Sequence, residues 1–213
     1  FGDKLPHLIF AMKALGKTLS LESIFTSLDN GSLTPTERKD AISVISQVGS
    51  ANNLSRLFKL APKEPTILNR LVTAAQIRKL QPAEGQEQLL PFLDSKKPTV
   101  FASAAKLAGL WKFAPARNKL VTAFTQSPAK RQAAAEGLRL FGDEETIKLF
   151  LKLSKKSPDE ATRVIAVKEL AKIAPDRAAA SAVALLQQDK EGKDEHSLFT
   201  SFLQRARPSP SLA

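Results

Sequence analysis

The sequence predicts an all-α chain, a stack of two-helix repeats forming an α-solenoid with a right-handed superhelical course. Three observations carry that expectation. The chain is 43% hydrophobic with twelve Phe, one Trp, no Tyr and only nine Gly, which suits helices packed through Ala, Leu and Phe better than strands. An apolar pattern at helical spacing recurs about every 31 residues, within the range of helical repeats. A proline stands shortly before each recurrence, where a helix should begin.

The pattern is clearest from Arg131, followed three, seven and ten residues later by Ala134, Leu138 and Phe141. The same template fits Arg163 with Ala166, Leu170 and Ile173, Arg70 with Thr73, Ile77 and Leu80, and Arg38 with Ala41, Ile45 and Val48. Phe101 takes the arginine's place ahead of Ala104, Ala108 and Trp111. These offsets fall on one stripe of a 3.6-residue helix. A small residue lets the neighbouring helix approach, and larger ones fill the space between layers. An arginine at the stripe's edge covers apolar surface with its stem while the guanidinium stays polar.

Start signals precede each of these second helices: Pro35, Pro65, Pro98, Pro128 and Pro158. Thr34, Ser127 and Ser157 are the expected N-caps, and Gly49 and Gly142 the expected stops. A shorter first helix, marked by Phe25, Phe58, Phe92, Phe124 or Phe150, comes before each one. Gly142-Asp143 reads as a joint, with Asp143 capping the helix that carries Ile147 and Phe150. The expected organisation is a single repeat domain over 1–207, with a partial unit at 1–19. Repeats at 20–49, 50–81, 82–113, 114–142, 143–174 and 175–207 follow, about five of them full, and 208–213 is a proline-bearing tail. Residues 5–17 read as a second helix without its first. The charged stretch "QDKEGKDE" reads as a long loop in the last unit.

These features resemble HEAT-like repeats, most closely in "RQAAAEGLRLFGD" and "TRVIAVKELAKIAPD". The resemblance implies a non-enzymatic scaffold for protein–protein or interdomain contacts. Many such repeats carry an Asp about six residues before the Arg, building a ladder of ion pairs. Here Ser32, Glu64, Ser95, Thr125 and Ser157 hold that place, so a continuous Asp–Arg ladder is not expected. A second, narrower resemblance rests on "DKLPHLIF", the diverged repeats and "LFTSFLQRARPSPSLA". It is to the helical segment of secreted bacterial proteins that fuse a β-propeller dehydrogenase to a c-type cytochrome. That resemblance implies a secreted or periplasmic connecting scaffold with the redox chemistry elsewhere; without it, a cytoplasmic location is expected. The start of the chain has no Met and no signal-peptide pattern, and reads as an interior segment of a longer protein.

Chemistry is sparse in the sequence. With no cysteine, thiolate metal sites, a Cys nucleophile and covalent haem attachment are excluded within the chain. The only histidines, His7 and His196, lie at opposite ends, so neither a metal site nor a bound cofactor is expected. There is no nucleophile elbow and no Gly-rich phosphate loop. No apolar run approaches the ~20 residues of a membrane span. The net charge of +11 suits an anionic partner, although the basic residues are interleaved with acids along the whole chain. The candidate partner-binding face is basic. Lys106 and Lys168 stand five residues after their anchors, nearly opposite the buried stripe, and Arg78 and Arg139 stand eight after theirs. The expected partner is a protein or a neighbouring domain, an acidic one fitting that face, and the alternative is a basic nucleic-acid-binding module. Trp111, at a packing position, is expected in the core.

Overall fold

The computed structural model describes residues 19–188 and 195–203. The partial unit at 5–17, His7, nearly all of the "QDKEGKDE" loop and the 208–213 tail fall outside the described residues. Among those residues the chain is all-α, and its helices divide into two compact units between Trp111 and Lys112. The sequence reading treats 1–207 as one domain; the division follows which helices pack together.

The first unit holds α1 (Leu19–Asp29), α2 (Pro35–Val48), α3 (Ala51–Lys59), α4 (Ile67–Arg78), α5 (Leu90–Leu93) and α6 (Pro98–Leu110). Helix α2 starts as its sequence demands. Thr34 accepts from the Glu37 amide while the Glu37 carboxylate accepts from the Thr34 amide, and Pro35 fills the first turn without losing a bond. Helix α3 opens with a reciprocal cap between Ser50 and Asn53. The segment of Phe92 is only one α-helical turn, preceded by a 3-10 turn over Gln86–Leu89. Pro91 has no N–H to donate, which costs nothing in the first turn of α5 where it lies.

In this unit α2 packs on α4 and α4 on α6, so the second helices form a row, each backed by its first helix. The core is made by the expected phenylalanines. Phe25 and Phe58 are buried, and Phe58 meets Phe92 at 6.4 Å and the edge of Trp111 at 5.5 Å between ring centroids. Trp111 is a core residue.

One helix departs from the template. On α4 the buried residues are Ile67, Leu68, Leu71, Val72, Ala74 and Ala75, whereas Thr73 is exposed and Ile77 is 75% exposed. Leu68, Leu71 and Ala75 occupy the places expected for Arg70, Thr73 and Ile77. The stripe is displaced by two residues, about 200° around a helix of 3.6 residues per turn. Apolar burial favours this rotation: it takes the four aliphatic side chains of Ile67, Leu68, Leu71 and Val72 inside together with Ala74 and Ala75.

The second unit holds α7 (Arg117–Gln126), α8 (Arg131–Phe141), α9 (Glu144–Lys156), α10 (Glu160–Ile173), α11 (Pro175–Gln188) and α12 (Glu195–Leu203). The second helices α8, α10 and α12 stack in order, and α7, α9 and α11 cover them. Here the template holds: Ala134, Leu138, Phe141, Ala166 and Leu170 are buried, with Ile173 half-buried. Phe124 and Phe150 meet edge to face at 5.9 Å and 84°. Val164, Val167, Ala182, Leu185 and Leu198 close the core of the last pair.

Several helix ends differ from expectation. Ser127 and Ser157 terminate α7 and α9 instead of starting the helices that follow. Asp159 caps α10, accepting from the Thr162 amide at 2.8 Å, while Ser157 closes α9 by donating its N–H to the Leu153 carbonyl. Asp143 caps α9 through the Thr146 amide at 2.9 Å. Gly142 ends α8 in the left-handed region with φ 62°, as a helix-stop glycine should. Gly49 stops α2 for a different reason. Its φ is −64°, and a Cβ there would lie 2.6 Å from the Ile45 carbonyl oxygen.

Candidate functional site

Polar contacts between successive repeats account for much of the charge. In the first unit Arg38 donates to Glu64 at 2.8 Å and to the Leu28 carbonyl. Glu64 is the one acid standing in the place where a ladder Asp would be. In the second unit Arg131, itself buried, reaches forward to Asp159 at 3.1 Å and back to the Phe124 carbonyl at 3.2 Å. Arg163 donates to the carbonyls of Ser157 and Pro158. The ladder is thus interrupted, as the missing acids imply, but it has rungs. Arg70 makes none among the described residues, because the rotation of α4 carries it out of the slot.

A second row of pairs joins the first helices, and the sequence reading missed it. Arg56 of α3 meets Glu22 of α1 at 2.7 Å while lying over the Phe25 ring at 3.9 Å. Arg117 of α7 pairs with Asp143 at the head of α9 and covers the Phe141 ring at 4.3 Å. Arg177 of α11 meets Glu144 at 2.6 Å. The signal in the sequence was an acid at the first turn of one unit with an arginine roughly one repeat away. Around Asp143, burial pushes the carboxyl up. Hydrogen bonds from Arg117 and from Thr146 outweigh that and bring it down to about 2.

The four residues of the expected basic face do not act alike. Arg78 and Lys106 belong to the first unit, Arg139 and Lys168 to the second. Arg78 ends α4 and donates to the carbonyls of Ser46 and Gly49 at 3.1 and 2.7 Å, closing the C-terminus of α2. Arg139 donates from Nε to Glu169 at 2.7 Å, and Glu169 is 1% exposed. Lys172 and Gln132 also reach that carboxylate. Both arginines therefore tie one second helix to the next, and neither guanidinium stands clear of the fold. Lys106 and Lys168 are half-buried on α6 and α10. Glu169 was legible as an acid inside the apolar run "AVKELA", where a buried charge needs a partner.

On the second helices of the first unit a groove of about 550 Å³ lies between α2 and α4. Lys39, Ile42, Glu64, Asn69, Arg70 and Thr73 contribute to its walls. Among the described residues no three His, Cys, Asp or Glu side chains converge to hold a metal ion, and His196 is exposed on α12. No described helix is long and apolar enough to cross a membrane.

Rows of stacked helix pairs clamped by ion pairs from one repeat to the next define an all-α helical-repeat protein. A family model described as HEAT repeats matches residues 115–197, from the start of the second unit into α12. No curated protein and no solved structure matches the chain. The narrower resemblance to the propeller–cytochrome fusions has no support in these comparisons.

Proposed function

We propose that this chain is a non-enzymatic scaffold that holds a protein segment or a neighbouring domain against its second helices. Repeats of the HEAT type generally serve as protein-interaction scaffolds, because stacked units present a broad continuous surface. The observation that carries the reading is the stacking of second helices within each unit, with cross-repeat contacts made at their ends and edges. That arrangement spends its charged groups on holding the row rigid and leaves side chains along the row to meet a partner. A rigid face lowers the ordering cost of binding. Support for a nucleic-acid surface is thinner, since Arg78 and Arg139 are already engaged and phosphate binding depends on the number of available cations.

Photo-crosslinking tests the reading directly. A benzoylphenylalanine placed at Thr73 of α4 or Gln132 of α8, both exposed, should give saturable adducts with a discrete polypeptide. The same residue at Thr26 of α1 or Lys152 of α9, on first helices, should not. Equal labelling from both sets, or adducts only with nucleic acid, would end the proposal.

A further inference from the structure

We infer that the groove between α2 and α4 docks an extended acidic peptide segment carrying leucine-like side chains. This rests on the scaffold reading and names its site and the chemistry of its partner. Arg70 is the starting point. Its three counterparts are tied down: Arg38 by Glu64 and Leu28, Arg131 by Asp159 and Phe124, and Arg163 by Ser157 and Pro158. The rotation of α4 instead delivers Arg70 to the groove wall, where no described side chain neutralises it.

The groove's charge is unbalanced. Lys39 and Arg70 are its cations. Glu64, its one acid, is already held by Arg38 at 2.8 Å, so its charge is cancelled and the two cations remain. A guanidinium and an ammonium on facing helices suit carboxylates spaced along an extended chain, the guanidinium through paired hydrogen bonds. Asn69 Oδ1 already accepts from Ser103 and the Thr73 hydroxyl donates to the Asn69 carbonyl, which leaves the Asn69 side-chain N–H groups and the Thr73 oxygen to meet a peptide backbone.

Charge is only half of the match. Ile42, 3% exposed, forms the groove's floor, and Ile77, 75% exposed, continues the Arg70–Thr73 strip by one turn of α4 and supplies its open apolar surface. A large aliphatic residue so exposed, about two turns along α4 from Arg70, fits a partner that alternates acid and hydrocarbon. It does not fit a phosphate backbone, which offers no apolar counterpart to Ile77. Nor do the groove walls carry an aromatic platform for bases.

Fluorescence anisotropy with the whole chain tests the inference. The probes are a fluorescein-labelled peptide of aspartate, serine and leucine, its lysine-for-aspartate and its leucine-free counterparts, and a labelled DNA duplex. The aspartate–leucine peptide should bind, and the Arg70→Glu and Lys39→Glu variants should each weaken it about tenfold. Ile77→Ser should weaken it severalfold and bring it close to the leucine-free peptide. Lys152→Glu, the same change of charge at an exposed position of the second unit that takes no part in the groove, should alter binding less than about twofold. Far-ultraviolet circular dichroism checks that each variant remains helical. The inference is overturned if the acidic peptide does not bind at millimolar concentration, or if Lys152→Glu costs as much as Arg70→Glu. It is equally overturned if the lysine peptide or the duplex binds as tightly as the acidic peptide. Crosslinks to a polypeptide from Gln132 alone would leave the scaffold reading standing and remove this groove from it.

Discussion

Arg139 of α8 and Glu169 of α10 form an ion pair at 2.7 Å, with the carboxylate 1% exposed. The pair joins consecutive second helices of the second unit through a charge that water does not reach. Its consequence is energetic, since removing the arginine leaves a buried carboxylate with reduced compensation. Arg139→Ala should cost about 2–3 kcal/mol, below the usual 3–5 kcal/mol for a broken buried pair because Lys172 stays in contact. The double change Arg139→Met with Glu169→Leu should cost less than Arg139→Ala alone. Urea unfolding of the three proteins measures both; equal losses would mean that the pair is not buried as described.

The displaced register of α4 makes a sharp contrast between two aliphatic residues. Leu68 is fully buried and Ile77 is 75% exposed. Leu68→Ala should cost roughly 2–5 kcal/mol, and Ile77→Ala less than about 0.5 kcal/mol. Chemical denaturation midpoints would show the difference. A large loss at Ile77 would restore the register in which Arg70 is the anchor.

Helix starts give a second contrast. Thr34→Ala removes one half of the capping box of α2, and Asp159→Ala removes both the cap of α10 and the partner of Arg131. The first should cost about 1 kcal/mol and the second at least as much, while Ser157→Ala should stay within about 0.5 kcal/mol. Thermal melts of the three variants rank them.

Asp143 links stability to acid. Its folded-state pKa of about 2 lies below the ordinary 3.8, so its contribution is complete above about pH 4 and is lost as pH falls through about 2. The side chain is 44% exposed, so solvent screening reduces the contribution to about 1 kcal/mol. Asp143→Asn keeps a good N-cap and removes the charge. The stability gap between it and the unaltered protein should therefore be widest near pH 5–7 and close towards pH 2. A gap that does not change with pH would show that Asp143 acts through its cap alone.

Much of the architecture was legible in the sequence. Prolines, a 3.6-residue stripe and one phenylalanine per first helix were sufficient to place most of the helices and the core of every second helix but α4, because burial and backbone geometry act locally and repeat. The ends of helices were less so. Ser157 and Asp159 are both competent caps, and which one serves depends on where the preceding helix ends: Ser157 is taken up in closing α9, so Asp159 starts α10. The basic face was misjudged most for Arg78 and Arg139. A helical wheel places them off the buried stripe, but it contains no neighbouring helix, and the neighbours supply the carbonyls of Ser46 and Gly49 and the carboxylate of Glu169.

By itself, then, the sequence determined that this protein is all-α, repeated and free of cysteine chemistry, since composition and periodicity act within each helix. The tertiary structure decided which charges are spent and which remain. Arg70 and Arg131 look alike in sequence, yet one lines a groove and the other is locked to Asp159. The physical reason is the rotation of a helix about its own axis. It is set by how much apolar surface the neighbouring helices of the same unit can bury, and no single repeat contains that sum.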